Sequence, residues 1–324
     1  MRGTHQISVQ NKRIRYHFEI KRNITIIRGD SATGKTALVD MIREHYENGE
    51  ASAVELICDK ECAVLEGRTW AAQLSAIKDS IVFIDEGNDF VMSDDFAAAV
   101  RDSDNYYVIV TREGIASLPY SVDEIYGIRN SGKYGTLKRT YNELYRLYRT
   151  DGRNIEVRPE KVVTEDSNAG FQFFQAICER NGQIACESAG GKSNIFAAVS
   201  KQLNENIVVI ADGAAFGSEM EKMMRIVKAY PNISLYLPES FEWLILKSGL
   251  IGGNEIADIL DRPQDYIESK EYFSWERFFT SQLIWRTKDS YLKYAKRQLN
   301  AVYLQSNPSN KILSVMKGIV LRDV

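Results

Sequence analysis

Apolar and polar positions alternate over residues 5–20: Ile7 and Val9, then Ile14, Tyr16, Phe18 and Ile20, with the polar Gln10-Asn11-Lys12 between the two runs. A period of two is that of a half-buried strand, so this stretch predicts a β-hairpin. The pattern then changes. Ile24–Ile27 is a short apolar run, a glycine-containing turn follows, and residues 37–46 place apolar side chains at helical spacing. Further short runs over 53–58, 81–84, 106–110 and 124–128 predict strands, with helical or loop segments between them. Apolar strand runs alternating with helices imply a mostly parallel sheet covered on both faces. Residues 137–148, with Leu144 and Leu147, predict a helix closing this first domain, and the polar Arg149-Thr150-Asp151-Gly152-Arg153-Asn154 marks its end.

A second alternation follows. Strands are expected over 161–164, 184–188, 207–211 and 233–237, and helices over 169–180, 193–203, 219–229 and from 242. Short connections in this β-α-β-α-β-α-β order imply right-handed crossovers and a second parallel sheet. From about residue 250 the pattern is mostly helical. The expected fold is α/β, with domains over 1–150 and 155–250 and a helical extension over 251–324.

Composition narrows the class without choosing a function. A chain of 324 residues fits two domains of ordinary size, and 44% apolar with 26% charged residues is normal for a globular protein. A net charge of −3 gives no global support for nucleic-acid binding, although a local basic groove remains compatible with it. No apolar run reaches the ~18 residues of a membrane span. The N-terminal residues lack the continuous apolar core of a signal peptide. The expectation is a cytoplasmic protein without membrane association. Of the four cysteines, Cys58 and Cys62 are close in sequence, but no second close pair completes a zinc site, so reduced thiols are expected.

The chemistry concentrates in three places in the first half. Gly29-Asp30-Ser31-Ala32-Thr33-Gly34-Lys35-Thr36 fits G-x-x-x-x-G-K-[ST]. A turn of this spacing aims backbone N–H groups at phosphate oxygens, and its glycines permit the close approach. Lys35 brings positive charge to the β- and γ-phosphates, Thr36 offers a hydroxyl to Mg²⁺, and the following helix directs its N-terminus at the phosphates. ATP and Mg²⁺ are the expected cofactors. Ile81-Val82-Phe83-Ile84-Asp85-Glu86 resembles a Walker B strand, with Asp85 holding the magnesium through water and Glu86 polarising the attacking water. Thr111-Arg112 ends the next strand, where Thr111 is placed to sense the γ-phosphate and Arg112 to reach another subunit's nucleotide. The plainer alternatives are an acidic pair capping a strand and an ordinary strand-end turn. The hairpin ahead of the glycine-rich turn resembles the start of ABC-type ATPase domains. There is no LSGGQ-like signature before Asp85, only Gln73-Leu74-Ser75, so the resemblance stops at the broad P-loop ATPase class.

The run from 161 to 237 resembles the TOPRIM fold of topoisomerases, primases and the overcoming-lysogenization-defect (OLD) nucleases. A P-loop ATPase followed by such a domain is the order found in OLD proteins and related phage-defence proteins. The resemblance covers the chain to about residue 247. It implies a Mg²⁺-dependent nuclease with a glutamate after the first strand and an Asp-x-Asp pair after the third. In Val163-Thr164-Glu165-Asp166, Glu165 takes the place of that glutamate; in Ile210-Ala211-Asp212-Gly213-Ala214, Asp212 takes that of the first aspartate. Glu165 and Asp212 are therefore the implied metal ligands and catalytic residues. Position 214 is alanine, which departs from the pattern; Asp166, Glu219, Glu221, Glu239 and Glu242 are further acids within reach in sequence. Gly190-Gly191-Lys192-Ser193 is a partial phosphate loop, similar to a Gly-Gly-Lys turn of OLD-like domains.

In the C-terminal region Arg286, Lys288, Lys293, Lys296 and Arg297 are interleaved with Trp285, Tyr291 and Tyr294. Basic and aromatic residues together suit a nucleic-acid backbone with unstacked bases. The same pattern also fits an amphipathic helix with buried aromatics. The leading expectation is an ATP-controlled, TOPRIM-like nuclease. The alternative is an ATPase switch whose second domain binds a partner without cutting, and a phosphotransferase using the same loop is a third. The implied partners are a nucleic acid, a separately encoded protein, and further copies of this chain.

Overall fold

The computed structural model describes residues 1–29, 33–131, 140–148, 156–182 and 184–321. Two compact units emerge: Met1–Arg149 with Arg262–Ser274, and Thr150–Asp261 with Trp275–Val324. The C-terminal stretch expected to form one extension is thus divided between them. No helix among the described residues is long and apolar enough to cross a membrane.

In the first unit the elements run β1 (His5–Gln10), β2 (Ile14–Ile20), β3 (Ile24–Ile27), α1 (Lys35–Asn48), β4 (Glu55–Ile57), β5 (Cys62–Val64), α2 (Trp70–Ala76), β6 (Ile81–Ile84), α3 (Asp94–Arg101), β7 (Tyr106–Val110), β8 (Ile125–Asn130) and β9 (Thr140–Arg146). Among the described residues they form one sheet in the order β4-β1-β2-β9-β8-β3-β7-β6-β5. The run β8-β3-β7-β6-β5 is parallel throughout. Its central strands β3, β6 and β7 are buried at every position, as expected of strands covered on both faces. The predicted hairpin is present, with β1 antiparallel to β2 and Ile7 facing Phe18. Its inward Ile7, Val9, Tyr16, Phe18 and Ile20 join a core with Leu38, Val39, Met41 and Ile42 of α1. That packing seats the start of α1 against the sheet.

One expectation is overturned. Residues 140–146 form a strand, where a closing helix over 137–148 was expected; residues 137–139 and the polar break at 149–154 lie outside the described residues. Tertiary pairing explains the difference. β9 runs antiparallel to β8, Arg129 faces Glu143 across the pair with an Nε–Oε1 distance of 2.9 Å, and the guanidinium lies 5.0 Å from the Tyr145 ring centre. Tyr145 in turn covers Gly127, where a Cβ would meet its ring at 2.6 Å. Cross-strand pairs of this kind outweigh the helical spacing of Leu144 and Leu147. The short strand β5 was also not foreseen.

In the second unit the order is β10 (Lys161–Thr164), α4 (Ala169–Asn181), β11 (Ala185–Ser188), α5 (Lys192–Ser200), β12 (Ile207–Ile210), α6 (Met220–Ala229), β13 (Ile233–Tyr236), α7 (Phe241–Lys247), α8 (Asn254–Asp261), α9 (Trp275–Thr287) and α10 (Ser306–Val315). The four strands form the parallel sheet that the alternation predicted, and its order is β11-β10-β12-β13. Phe173 and Phe174 of α4 pack on Phe241 of α7, and α7 packs against α9 and α10. The basic stretch expected to be helical leaves its helix at Thr287. From Tyr291 to Arg297 the chain instead alternates, with Leu292 and Tyr294 buried, Lys296 half-buried, and Tyr291, Lys293 and Arg297 exposed.

Candidate functional site

The carboxyl edge of the first sheet gathers the residues singled out in that half. β3 leads into the glycine-rich turn, β6 ends at Asp85 and Glu86, and β7, which lies between β3 and β6, ends at Thr111 and Arg112. Ligand crevices in α/β sheets form outside this edge. Of the turn itself, Asp30, Ser31 and Ala32 lie outside the described residues. Gly29 and Gly34 both have positive φ, 139° and 93°, a region open to glycine at little cost. At Gly34 a side chain is excluded twice over, since a Cβ would also lie 2.7 Å from the Tyr16 hydroxyl. That hydroxyl donates to the Gly34 carbonyl at 2.8 Å and is hydrogen-bonded by Asn142. Tyr16 and Asn142 therefore brace the turn from β2 and β9; residue reading missed both, because nothing in their local sequence marks them.

Lys35 is buried at the start of α1 and donates to the Gly29 carbonyl at 2.8 Å and to the Thr33 hydroxyl at 3.3 Å. A phosphate oxygen entering the turn would compete with these acceptors for the ammonium. Thr36 is exposed on the first turn of α1. The half-buried Asp85 carboxyl is raised above its ordinary range, first by burial and then by Asp40 and Glu86, against the N–H of Glu86 and Arg43. A cation beside it would offset that cost. One hydroxyl and one carboxylate, completed by phosphate oxygens and water, is a donor set that suits Mg²⁺. Glu86 accepts two hydrogen bonds from Arg112, Nε to Oε2 at 3.1 Å and Nη2 to Oε1 at 2.8 Å. Arg112, with a smaller contribution from Lys35, holds the Glu86 carboxyl below its usual range. Thr111 is buried; its hydroxyl donates to the Glu113 carbonyl, and its N–H bonds Ile27 at the end of β3.

The second unit brings Glu165 and Asp212 together. They follow the neighbouring parallel strands β10 and β12, and the Asp212 N–H donates to Glu165 Oε2 at 3.1 Å. Both line a cavity of about 40 Å³, room for roughly three waters or a small cation. Asp166, Glu242, Tyr294 and Lys296 also line it. Gly213 allows β12 to end here: a Cβ on it would lie 2.6 Å from the Leu237 carbonyl oxygen. Glu242 is buried and accepts from the Tyr294 hydroxyl at 2.7 Å, while Lys296 is paired with Glu276 of α9. Lys192 donates to the Ala215 carbonyl at 3.0 Å, with burial lowering its pKa and Glu165, Glu219 and Glu276 opposing that shift. Of the other acids, Glu219 is buried beside Lys222, Glu221 pairs with Arg225, and Asp166 holds Asn168. Glu276 was missed in the sequence, because only the tertiary fold carries it to this edge. Among the described residues, no three His, Cys, Asp or Glu side chains are arranged to hold a metal ion, and Ala214 is buried.

Burial raises both strand-end carboxyls. Asp212 lies well above its ordinary value, through burial first and then Glu276, Glu165 and Glu242, with Lys296 opposing. Glu165 is pushed up to about 7, again by burial first, then by Glu276 and Asp166, against the Asp212 N–H and Lys192. Between the ordinary 4.5 and about 7 the folded chain holds a proton at Glu165 that the unfolded chain releases, so stability falls as pH rises through this window. In EDTA, Glu165→Gln is expected to be more stable than wild type above about pH 7, with the advantage gone below about pH 4.5. Urea midpoints at the two extremes check this; a constant difference across pH would contradict it.

No protein-family model matches this chain, and no curated protein or solved structure was matched by it either.

Proposed function

We propose that the first unit is a P-loop ATPase and that the second is a TOPRIM-like unit that recognises a partner protein or a nucleic acid without cutting it. The observation that carries the ATPase reading is the shared carboxyl edge: the glycine-rich turn with Lys35, the β6 acids and Thr111 all end there. In this reading the turn's N–H groups and Lys35 bind the phosphates, and Thr36 and Asp85 hold Mg²⁺. That ion supplies charge neutralisation at the phosphates. Glu86 orients the attacking water once its pairing with Arg112 is released, and Thr111 faces the phosphate that leaves.

For the second unit, the nuclease reading draws on the adjacency of Glu165 and Asp212. The non-cutting reading draws on Ala214, where the resemblance implies a second aspartate, and on Lys296 within the cavity. We judge this donor set a poor fit to a divalent metal and derive no step through one. Purified protein with ATP and Mg²⁺ is expected to release phosphate and to leave plasmid DNA, single-stranded DNA and tRNA intact, with Mg²⁺ or Mn²⁺ and with or without ATP. Cleavage that disappears in Glu165→Ala at unchanged phosphate release would establish the nuclease instead.

A further inference from the structure

The segment that follows α9 is fastened across the end of the second sheet. The Ala169 N–H at the start of α4 donates to the Lys296 carbonyl at 2.9 Å. Gln172 of α4 donates to the Arg297 carbonyl at 3.0 Å and accepts from the Leu299 N–H at 2.8 Å. The Tyr294 N–H bonds the Thr287 hydroxyl at 3.0 Å, and the Tyr303 hydroxyl donates to the Leu292 carbonyl at 2.6 Å. Backbone on both sides of Lys296 is therefore fixed, and its side chain enters the cavity lined by Glu165, Asp212 and Glu242 and pairs with Glu276. A group of carboxylates held this close needs a counter-charge or protons to stay folded.

We propose that the Lys296 ammonium is the resident cation of this pocket, standing where a divalent metal would otherwise neutralise Asp212, Glu242 and Glu276. The inference deepens the non-cutting reading of the second unit and rests on it. The electrostatics agree: burial works against the Lys296 charge, but Glu276, Glu242 and Asp212 outweigh it and hold the ammonium above its usual range. The fastened segment then acts as part of the site. With Lys296 in place, a divalent cation entering the cavity meets its positive charge and a Glu276 carboxylate already paired; without it, the acids that line the cavity lose their neighbouring ammonium.

The test uses Mn²⁺ as the probe, on nucleotide-free full-length protein carrying Asp85→Asn so that the first unit contributes no site. Bound Mn²⁺ is counted by paramagnetic resonance, and melting temperature is followed in parallel. The parent is expected to bind no Mn²⁺ through Asp212 below about 1 mM. Lys296→Met is expected to gain an ion with roughly tenfold or greater affinity, in the range of weak oxygen-ligand sites. Adding Asp212→Asn should remove it, and Mn²⁺ should raise the melting temperature of Lys296→Met alone. If Lys296→Met folds only when Mn²⁺ is supplied, the proposal holds; if it neither binds Mn²⁺ nor is rescued by it, the proposal fails. It also fails if the parent binds Mn²⁺ that Asp212→Asn abolishes. The two readings separate cleanly: cleavage without Mn²⁺ at Asp212 sinks only the non-cutting reading, and Mn²⁺ at Asp212 without cleavage sinks only the lysine.

Discussion

Replacing Lys35 with alanine is expected to lower ATP hydrolysis by about 10²–10³-fold, the loss typical of removing one preorganised charge-stabilising donor. The size follows from where the ammonium sits. Lys35 is only 5% exposed, so its charge acts in a poorly solvated place, where it is worth more than on the surface. It is also held: bonds to the Gly29 carbonyl and the Thr33 hydroxyl aim it into the turn before any phosphate arrives. An alanine removes both the charge and the brace across the turn. Affinity for a fluorescent ATP analogue should therefore fall together with phosphate release. Lys35→Met keeps a long unbranched apolar stem while removing the charge, so it separates the two contributions. If Met behaves like alanine, charge dominates; if Met keeps binding and loses only hydrolysis, the ammonium acts on the transition state. Unchanged hydrolysis in both variants would end the P-loop reading of residues 29–36.

The parts legible from sequence were those in which local pattern and tertiary need agree. The apolar runs of β3, β6 and β7 read as buried strands because nearly every residue in them is apolar, and the structure buries all of them. The strand β3 and the helix α1 on either side of the glycine-rich turn were legible, and Gly29 and Gly34 both take the positive φ that glycine permits. Residues 140–146 failed for the opposite reason: Leu144 and Leu147 fit a helix, and only the Tyr145–Gly127 and Arg129–Glu143 pairs across β8 select a strand. The same limit governed the sites. Asp85, Glu86, Glu165 and Asp212 each end a strand and could be found by scanning for acids there. Tyr16 and Asn142, which brace the turn, and Glu276, which pairs with Lys296 of the second cavity, carry no local signal of a site, and Lys296 stood out only within a basic and aromatic stretch. Contacts between distant parts of the chain put them there, and one sequence does not display such contacts.

Glu86→Gln should separate binding from chemistry. ATP affinity is expected to stay within about twofold of wild type, because binding rests on the turn and Lys35, while hydrolysis falls by about 10²–10⁴-fold, the range for loss of a general base. A carboxylate held in two hydrogen bonds by a guanidinium has its proton affinity lowered, as at Glu86, and is a weaker base for water. Arg112 is 64% exposed at the end of β7, beside the buried Thr111, so its guanidinium lies in solvent where another anion can compete with Glu86 for it. A γ-phosphate at this edge is such an anion. Its arrival would draw off the guanidinium and return Glu86 to the water at the moment a base is needed. An exposed ion pair of this kind adds little to folding, so the unfolding midpoint of Glu86→Gln should match wild type and the lost rate will report on catalysis. Arg112→Ala distinguishes two roles for the guanidinium. If the arginine only restrains Glu86, hydrolysis rises or holds; if it also meets the γ-phosphate, hydrolysis falls and ATP binding weakens with it. A Glu86→Gln enzyme that hydrolyses ATP at the wild-type rate would remove Glu86 from the chemistry and leave Asp85 as the sole acid of β6 with a role at the nucleotide.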